Sequence, residues 1–249
     1  MNLIGKKALV TGGAKRVGRA IVLELATAGC DIAIHFRASR SDASALADAV
    51  RQKRRRATTI YGDLDSPSDW NRIVENGVDH LGGLDILINN ASVFSPDQGI
   101  GEDQGERRSD WESTFRVNLL APSALCHCAR PHLEKNGGGV IVNLSDILAH
   151  RPWSKRLAYC ASKAALNAAT IGLAREFAPL VRVNAVAPGI ALFPEDYDAA
   201  TRKRLVDRVP LGREGTPDEV ARLVRFLCGQ GDYITGQIIA IDGGRSLVW

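Results

Sequence analysis

The sequence predicts a doubly wound α/β fold, one parallel sheet of about seven strands flanked by helices. Three observations lead there. The strand candidates are unbroken apolar runs, the pattern of strands buried on both faces. They alternate with helix-spaced stretches, which gives right-handed strand–helix–strand crossovers. The first run, Ala8-Leu9-Val10, passes directly into a glycine-rich turn and then a helical pattern.

The elements follow in order. Arg16 to Ala28 has helical spacing, with Val17, Ala20, Ile21, Leu23, Leu25 and Ala28 on the apolar side. Asp31 to Phe36 is a strand. Ser41 to Lys53 is a helix opened by a Ser or Asp cap. Ala57 to Tyr61 is a strand. Pro67 to Leu81 is a helix with Ser66 as N-cap and proline in its first turn. Asp85 to Asn89 is a strand. Trp111 to Glu134 is a long helical region, interrupted or bent near Pro122. Val140 to Leu144 is a strand, Tyr159 to Ala178 a helix ended by Pro179, and Val181 to Ala187 a strand stopped by Pro188-Gly189. Pro217 to Cys228 is a helix capped by Thr216, and Gln237 to Ile241 the last strand. Two polar stretches, 95–110 and 190–201, take no element; long loops at the carboxyl ends of strands commonly bind ligands. No repeat and no linker divides residues 1–249, so one domain is expected.

Composition removes several classes of function. The chain is 45% hydrophobic and 24% charged, ordinary for a folded protein and far from disorder. Its net charge of +4 is spread along the chain, and the run Lys53-Arg54-Arg55-Arg56 ends a helix, where cations suit the dipole. Nucleic-acid binding is therefore not expected. No apolar stretch of ~18 residues is present to span a membrane. Met1 leads straight into a strand, so no signal peptide is expected. Five scattered cysteines suit a reduced, cytoplasmic protein. Cys126-His127-Cys128 lies in an apolar helical pattern and reads as packing, so no metal is expected.

The turn Thr11-Gly12-Gly13-Ala14-Lys15-Arg16-Val17-Gly18 sits between a strand and a helix. Glycine lets backbone approach a phosphate closely, and the helix N-terminus offers free N–H groups to a pyrophosphate. A site for NAD places an acidic residue at the end of the second strand. Here that strand, with His35 and Phe36, ends in Arg37-Ala38-Ser39-Arg40. Arg37 and Ser39 suit a 2′-phosphate, and Arg16 adds a second cation, so NADP(H) is the expected cofactor. Plain surface arginines are the alternative. Farther on, Tyr159-Cys160-Ala161-Ser162-Lys163 puts a phenol and an ammonium on one helix face. A nearby ammonium favours phenolate, which is expected to lower the Tyr159 pKa and fit it for proton transfer.

Together these motifs resemble the short-chain dehydrogenase/reductase family, a Rossmann-type fold, over essentially the whole chain. The resemblance includes Asp63-Leu64, Asn89-Asn90-Ala91, Asn118, Tyr159 with Lys163, Pro188-Gly189, Ile234-Thr235-Gly236 and Asp242-Gly243-Gly244. It implies that Tyr159 donates the proton, that Lys163 binds the nicotinamide ribose, and that Asn118 holds a relay water. It implies too that Asp63 and Leu64 flank the adenine, that Asn89, Asn90 and Ala91 line the cofactor groove, and that the protein is a homotetramer.

Three residues depart from the family pattern: Arg16 and Ser92 each replace a glycine, and Asp146 stands thirteen residues before Tyr159, where the family has serine. Ser145 is the competing assignment. With Phe94 two positions after Ser92, these departures resemble the pteridine reductase branch. That resemblance implies an NADPH-dependent reductase of dihydropterins, and of dihydrofolate, in which Phe94 and Ser92 contact a flat ring and Asp146 supports Tyr159. Trp153, Leu192, Phe193 and Tyr197 either shape the substrate pocket or pack the loop, and Ala191 replaces a serine common in the branch. A carbonyl reductase such as a 3-oxoacyl-[acyl-carrier-protein] reductase, and a non-catalytic NADP(H) sensor, are the competing readings.

Overall fold

The computed structural model describes residues 1–94, 104–154, 156–193 and 197–248, and the side chains of 104–109 are not among those described. The strands are β1 (Lys7–Val10), β2 (Asp31–Phe36), β3 (Ala57–Tyr61), β4 (Ile86–Asn89), β5 (Gly139–Leu144), β6 (Val181–Pro188) and β7 (Ile238–Ile241). They form one parallel sheet in the order β3-β2-β1-β4-β5-β6-β7. β1 pairs β2 on one side and β4 on the other, so strand order reverses there. A ligand crevice opens at that point, beyond the carboxyl ends of the strands.

Side-chain alternation explains why the strands look continuously apolar. Ala8 and Val10 belong to one core layer and Leu9 to the other; Ile86 and Ile88 divide from Leu87 in the same way. The first layer packs under α1 (Arg16–Thr27), α2 (Arg40–Gln52) and α8 (Pro217–Gly229). The second lies under α3 (Pro67–Leu81), α5 (Ala121–Lys135) and α6 (Leu157–Phe177). Each fully buried Leu or Ile contributes about 1.5–3 kcal/mol through burial. The sequence assignments match these elements to within a few residues at each end, apart from the long helical region.

That region is three pieces. α4 (Gln104–Phe115) starts inside the stretch read as loop, and 95–103 lie outside the described residues. A π-helical turn, Arg116–Leu120, then joins α4 to α5, with Ala121 N–H bonded to Arg116 O. Pro122 accounts for the turn: it lacks an N–H, and its ring would meet the carbonyl of Asn118, four residues back. α7 (Ala199–Val206) was not expected; it buries no residue, so no apolar stripe announces it. Two short 3₁₀ turns, Ile147–Ala149 and Arg245–Leu247, likewise carry no periodic signal.

Candidate active site

The glycine turn is built against the β4 end. Gly12 has φ +59°, and a Cβ there would lie 2.9 Å from Ala91 Cα. A Cβ on Gly18 would lie 2.3 Å from Gly12 O and 2.6 Å from Asn90 Nδ2. Both positions therefore need glycine, and the turn lies flat on the start of α1. Asn90 Nδ2 donates to the carbonyls of Thr11 and Gly12 at 2.9 and 3.0 Å. Thr11 Oγ1, which the sequence reading missed, accepts from the N–H groups of Asn90 and Ala91. Arg16 has φ +52° where the family has glycine. A side chain held there stores strain, a mark of functional sites. Its guanidinium donates to Leu192 O at 3.2 Å, spanning the mouth of the crevice.

His35 supports the same turn from below. Its Nδ1 accepts from Gly12 N–H at 3.2 Å, so Nε2 carries the proton and donates to Gly62 O at 3.1 Å. Burial pushes its pKa down to about 4, and the ring is neutral at pH 7. A second ring proton would face the Gly12 N–H. Because the folded value lies below the unfolded one of about 6.5, the unfolded chain binds more protons between the two. This group's contribution to stability is present above that window and is lost as pH falls through it. Melting temperatures from pH 7 to pH 4 are expected to fall more steeply for wild type than for His35→Gln.

The crevice has a volume of about 450 Å³. Gly12, Arg16, Val17, Gly18, His35 and Arg37 line its first half, with Asp63 and Leu64 at the end beyond β3. Arg37 and Asp63 pair loosely there at 3.7 Å, both substantially exposed. Asn90, Ala91, Ser92 and Phe94 line the middle, and Asp146, Tyr159, Lys163, Pro188, Gly189 and Leu192 the far half. Three expected cofactor contacts fall outside. Asn89 is buried, its Nδ2 donating to Asn143 Oδ1 at 2.9 Å. Phe36 points into the first core layer and against Tyr61, because it alternates with His35 along β2. Ser39 sits at the N-cap of α2 and is not among the residues lining the crevice.

Asp146 Oδ2 accepts the Tyr159 hydroxyl at 2.7 Å. Its other oxygen caps the 3₁₀ turn through Leu148 N–H at 2.8 Å. Ser145 points elsewhere, donating to Asn167 Oδ1 at 2.6 Å. Asp146 and not Ser145 is thus the partner of the phenol. Lys163 Nζ donates to Leu144 O at 2.7 Å and lies 5.7 Å from the Tyr159 ring centre. The expected lowering of the phenol pKa is not found. Burial first, then the charge of Asp146 and its hydrogen bond, hold Tyr159 well above the ordinary tyrosine value. Burial likewise raises the Asp146 carboxyl and pushes Lys163 down to about 8.

Asn118 does not line the crevice. Its Oδ1 accepts from Ser92 Oγ and Val93 N–H at 3.0 and 2.9 Å, and its Nδ2 donates to Val93 O and Ser162 Oγ. The side chain is spent on positioning the Ser92–Phe94 segment, so a relay water would need another atom. Phe94 stands edge-on to Tyr159, ring centres 4.7 Å apart at 81°. Arg156, not singled out from sequence, stacks on Phe94 at 4.1 Å and donates to its carbonyl at 2.9 Å. Its place three residues before Tyr159 was the available signal. A smaller cavity of about 230 Å³ adjoins this point, with Trp153, Phe193 and Tyr197 in its walls.

A glycine turn on a helix N-terminus, with a buried Asp–Tyr–Lys cluster in the same crevice, defines an oxidoreductase of the Rossmann type. The family model described as Enoyl-(Acyl carrier protein) reductase matches residues 12–246, and the chain belongs to the short-chain dehydrogenase/reductase family. It is 35% identical to 4-formylbenzenesulfonate dehydrogenase TsaC1/TsaC2 of Comamonas testosteroni, over 99% of this chain and 100% of that one. It is 35% identical to the 3-oxoacyl-[acyl-carrier-protein] reductase FabG of Aquifex aeolicus, over 98% of each. Among solved structures it resembles FolM alternative dihydrofolate reductase 1 of Brucella canis, complexed with NADP. There the TM-score is 0.92 and the identity 35%, covering 100% of this chain and 96% of that one. Among the described residues, no helix is long and apolar enough to cross a membrane.

Proposed function

We propose that the protein is an NADPH-dependent pteridine reductase that reduces the C=N bond of dihydropterins, and of dihydrofolate, to the tetrahydro forms. The observation that carries this reading is the Asp146–Tyr159 hydrogen bond with the Phe94 ring edge-on to the same phenol. Ketone reduction in this family pairs the proton-donating tyrosine with a second hydroxyl that polarises the carbonyl oxygen; here the position thirteen residues before Tyr159 is a carboxyl, and the adjacent Ser145 is tied to Asn167. A ring nitrogen calls for a delivered proton, which an acid-coupled phenol supplies. The likeness to FolM supports the reading; the likeness to FabG keeps a 3-oxoacyl reductase as the second one.

The glycine cradle fits a pyrophosphate, and Arg37 fits the extra phosphate of NADPH, which supplies the hydride when bound; Arg16, expected as a second cation there, instead turns its guanidinium to Leu192 O and lines the ring pocket. Arg37→Ala is expected to weaken NADPH about ten- to a hundredfold, the loss of one charge-assisted contact, and NADH far less. Equal losses in titrations with the two cofactors would remove Arg37 from the 2′-phosphate. Phe94, braced by Arg156, offers one face to a flat ring, worth about 0.5–1.5 kcal/mol beyond area burial. Tyr159 gives its proton to the ring nitrogen. Left as phenolate beside an ionised Asp146 it would be one of two anions in hydrogen-bond contact, so the protonated carboxyl is the productive form. Its proton passes to Tyr159 as that of Tyr159 leaves, and the raised Asp146 pKa favours that state.

The deciding assay follows NADPH oxidation by purified protein with dihydrobiopterin, dihydromonapterin and an acetoacetyl thioester in parallel. Turnover of the pterins is expected; turnover of the thioester alone would replace this reading with the second one.

A further inference from the structure

A separate cavity of about 520 Å³ opens beside the ring pocket. The two share Ile147, Leu148, Trp153 and Arg245, so one continuous wall runs from Tyr159 to Arg245. Its charged lining has a single sign. Arg151 comes from the loop after β5, Arg208 from the turn after α7, and Arg245 from the turn after β7; no described Asp or Glu lines it. Among the described residues, Asp242 accepts from Gly244 and Ser246 N–H at 2.9 and 2.7 Å, and Asp207 pairs with Lys203 at 2.9 Å. Arg245 is held in place, its Nη1 donating to Leu205 O at 2.8 Å. Arg208 has no ion pair among the described residues.

Burial, and then the charge of Arg208, lowers the Arg245 pKa, so the two guanidiniums feel each other. Like charges gathered on a part-buried wall repel, and a bridging anion offsets that cost. The approach to them is apolar and partly aromatic, through Ile147, Leu148 and Trp153. We propose that this cavity is a subsite for the carboxylate tail of the substrate. The flat ring lies at Phe94 and Tyr159, an apolar spacer crosses Trp153, and the tail reaches Arg208 and Arg245. This rests on the pteridine reading and narrows it: the preferred substrate is a dihydropterin carrying an acidic side chain, over one with a short neutral chain.

The test compares 7,8-dihydrofolate, whose ring bears a p-aminobenzoylglutamate tail, with 7,8-dihydrobiopterin, whose tail is uncharged. Arg208 is exposed, so its replacement spares the core. Arg208→Ala is expected to raise KM for dihydrofolate roughly tenfold, the loss of one charge-assisted contact, with kcat little changed. Arg208→Glu raises it further, and KM for dihydrobiopterin, the internal control for folding, stays at its wild-type value in both. If both substrates turn over and the variants leave their KM ratio unchanged, the subsite is wrong while the pteridine reading stands. If neither turns over, that reading fails and the subsite with it. An unchanged ratio with an altered oligomeric state on gel filtration would overturn the subsite and place the arginines between copies of the chain.

Discussion

Tyr159→Phe is expected to lower kcat about a hundred- to ten-thousandfold, the span contributed by a positioned proton donor. The phenol is buried, and burial, the largest cause of its raised pKa, opposes ionisation whatever the charge on Asp146. A donor must hold its proton until the hydride arrives, and Tyr159 does so. Phenylalanine leaves the ring and its edge contact with Phe94 in place, and Lys163 retains its bond to Leu144 O. Affinity for NADPH, read by fluorescence titration, should therefore stay near wild type while single-turnover oxidation of bound NADPH collapses. Retained turnover would take the donor role from Tyr159.

Asp146→Ala is expected to lower kcat about a hundredfold or more, as a member of the same proton path. Ser145→Ala is expected to leave kcat near wild type and to cost about 1–3 kcal/mol of stability, because Asn167 loses a buried partner. The pair separates two adjacent residues that sequence alone leaves in competition. The pH dependence carries a sign. The protonated carboxyl is the working form and burial raises its pKa, so kcat/KM is highest at low pH and falls as pH rises through that value. Asp146→Asn, which keeps a side chain of the same shape but has no acid proton to pass, should flatten that limb. A wild-type rate that rises with pH across the same range would contradict the relay.

Much of the architecture was readable because its causes are local. Ala8, Leu9 and Val10 are apolar because both faces of β1 are covered, and a run of that kind can be recognised without knowing what covers it. The proline start of α3, the Thr216 cap of α8 and the π-helical turn before Pro122 follow from residues at their own positions, while Ser66, at the N-cap of α3, makes no side-chain cap bond. α7 escaped notice because a short helix with no buried side chain has no periodic face to display.

Within the site, residue spacing placed Tyr159 and Lys163 on one helical face and the glycines before α1, since helix pitch and turn sterics act over a few residues. Only the tertiary structure decided which of Ser145 and Asp146 meets the phenol, a matter of which side of the strand end each faces. It also reversed the expected shift of Tyr159: desolvation depends on everything packed around a group, and here it acts in the same direction as Asp146. It withdrew Phe36 into the core, spent the Asn118 amide on the Ser92–Phe94 segment, and set Arg156 on Phe94. The gathering of Arg151, Arg208 and Arg245 on one wall has the same origin. Chain segments far apart in sequence come together only when the sheet is assembled, and no local pattern records that meeting.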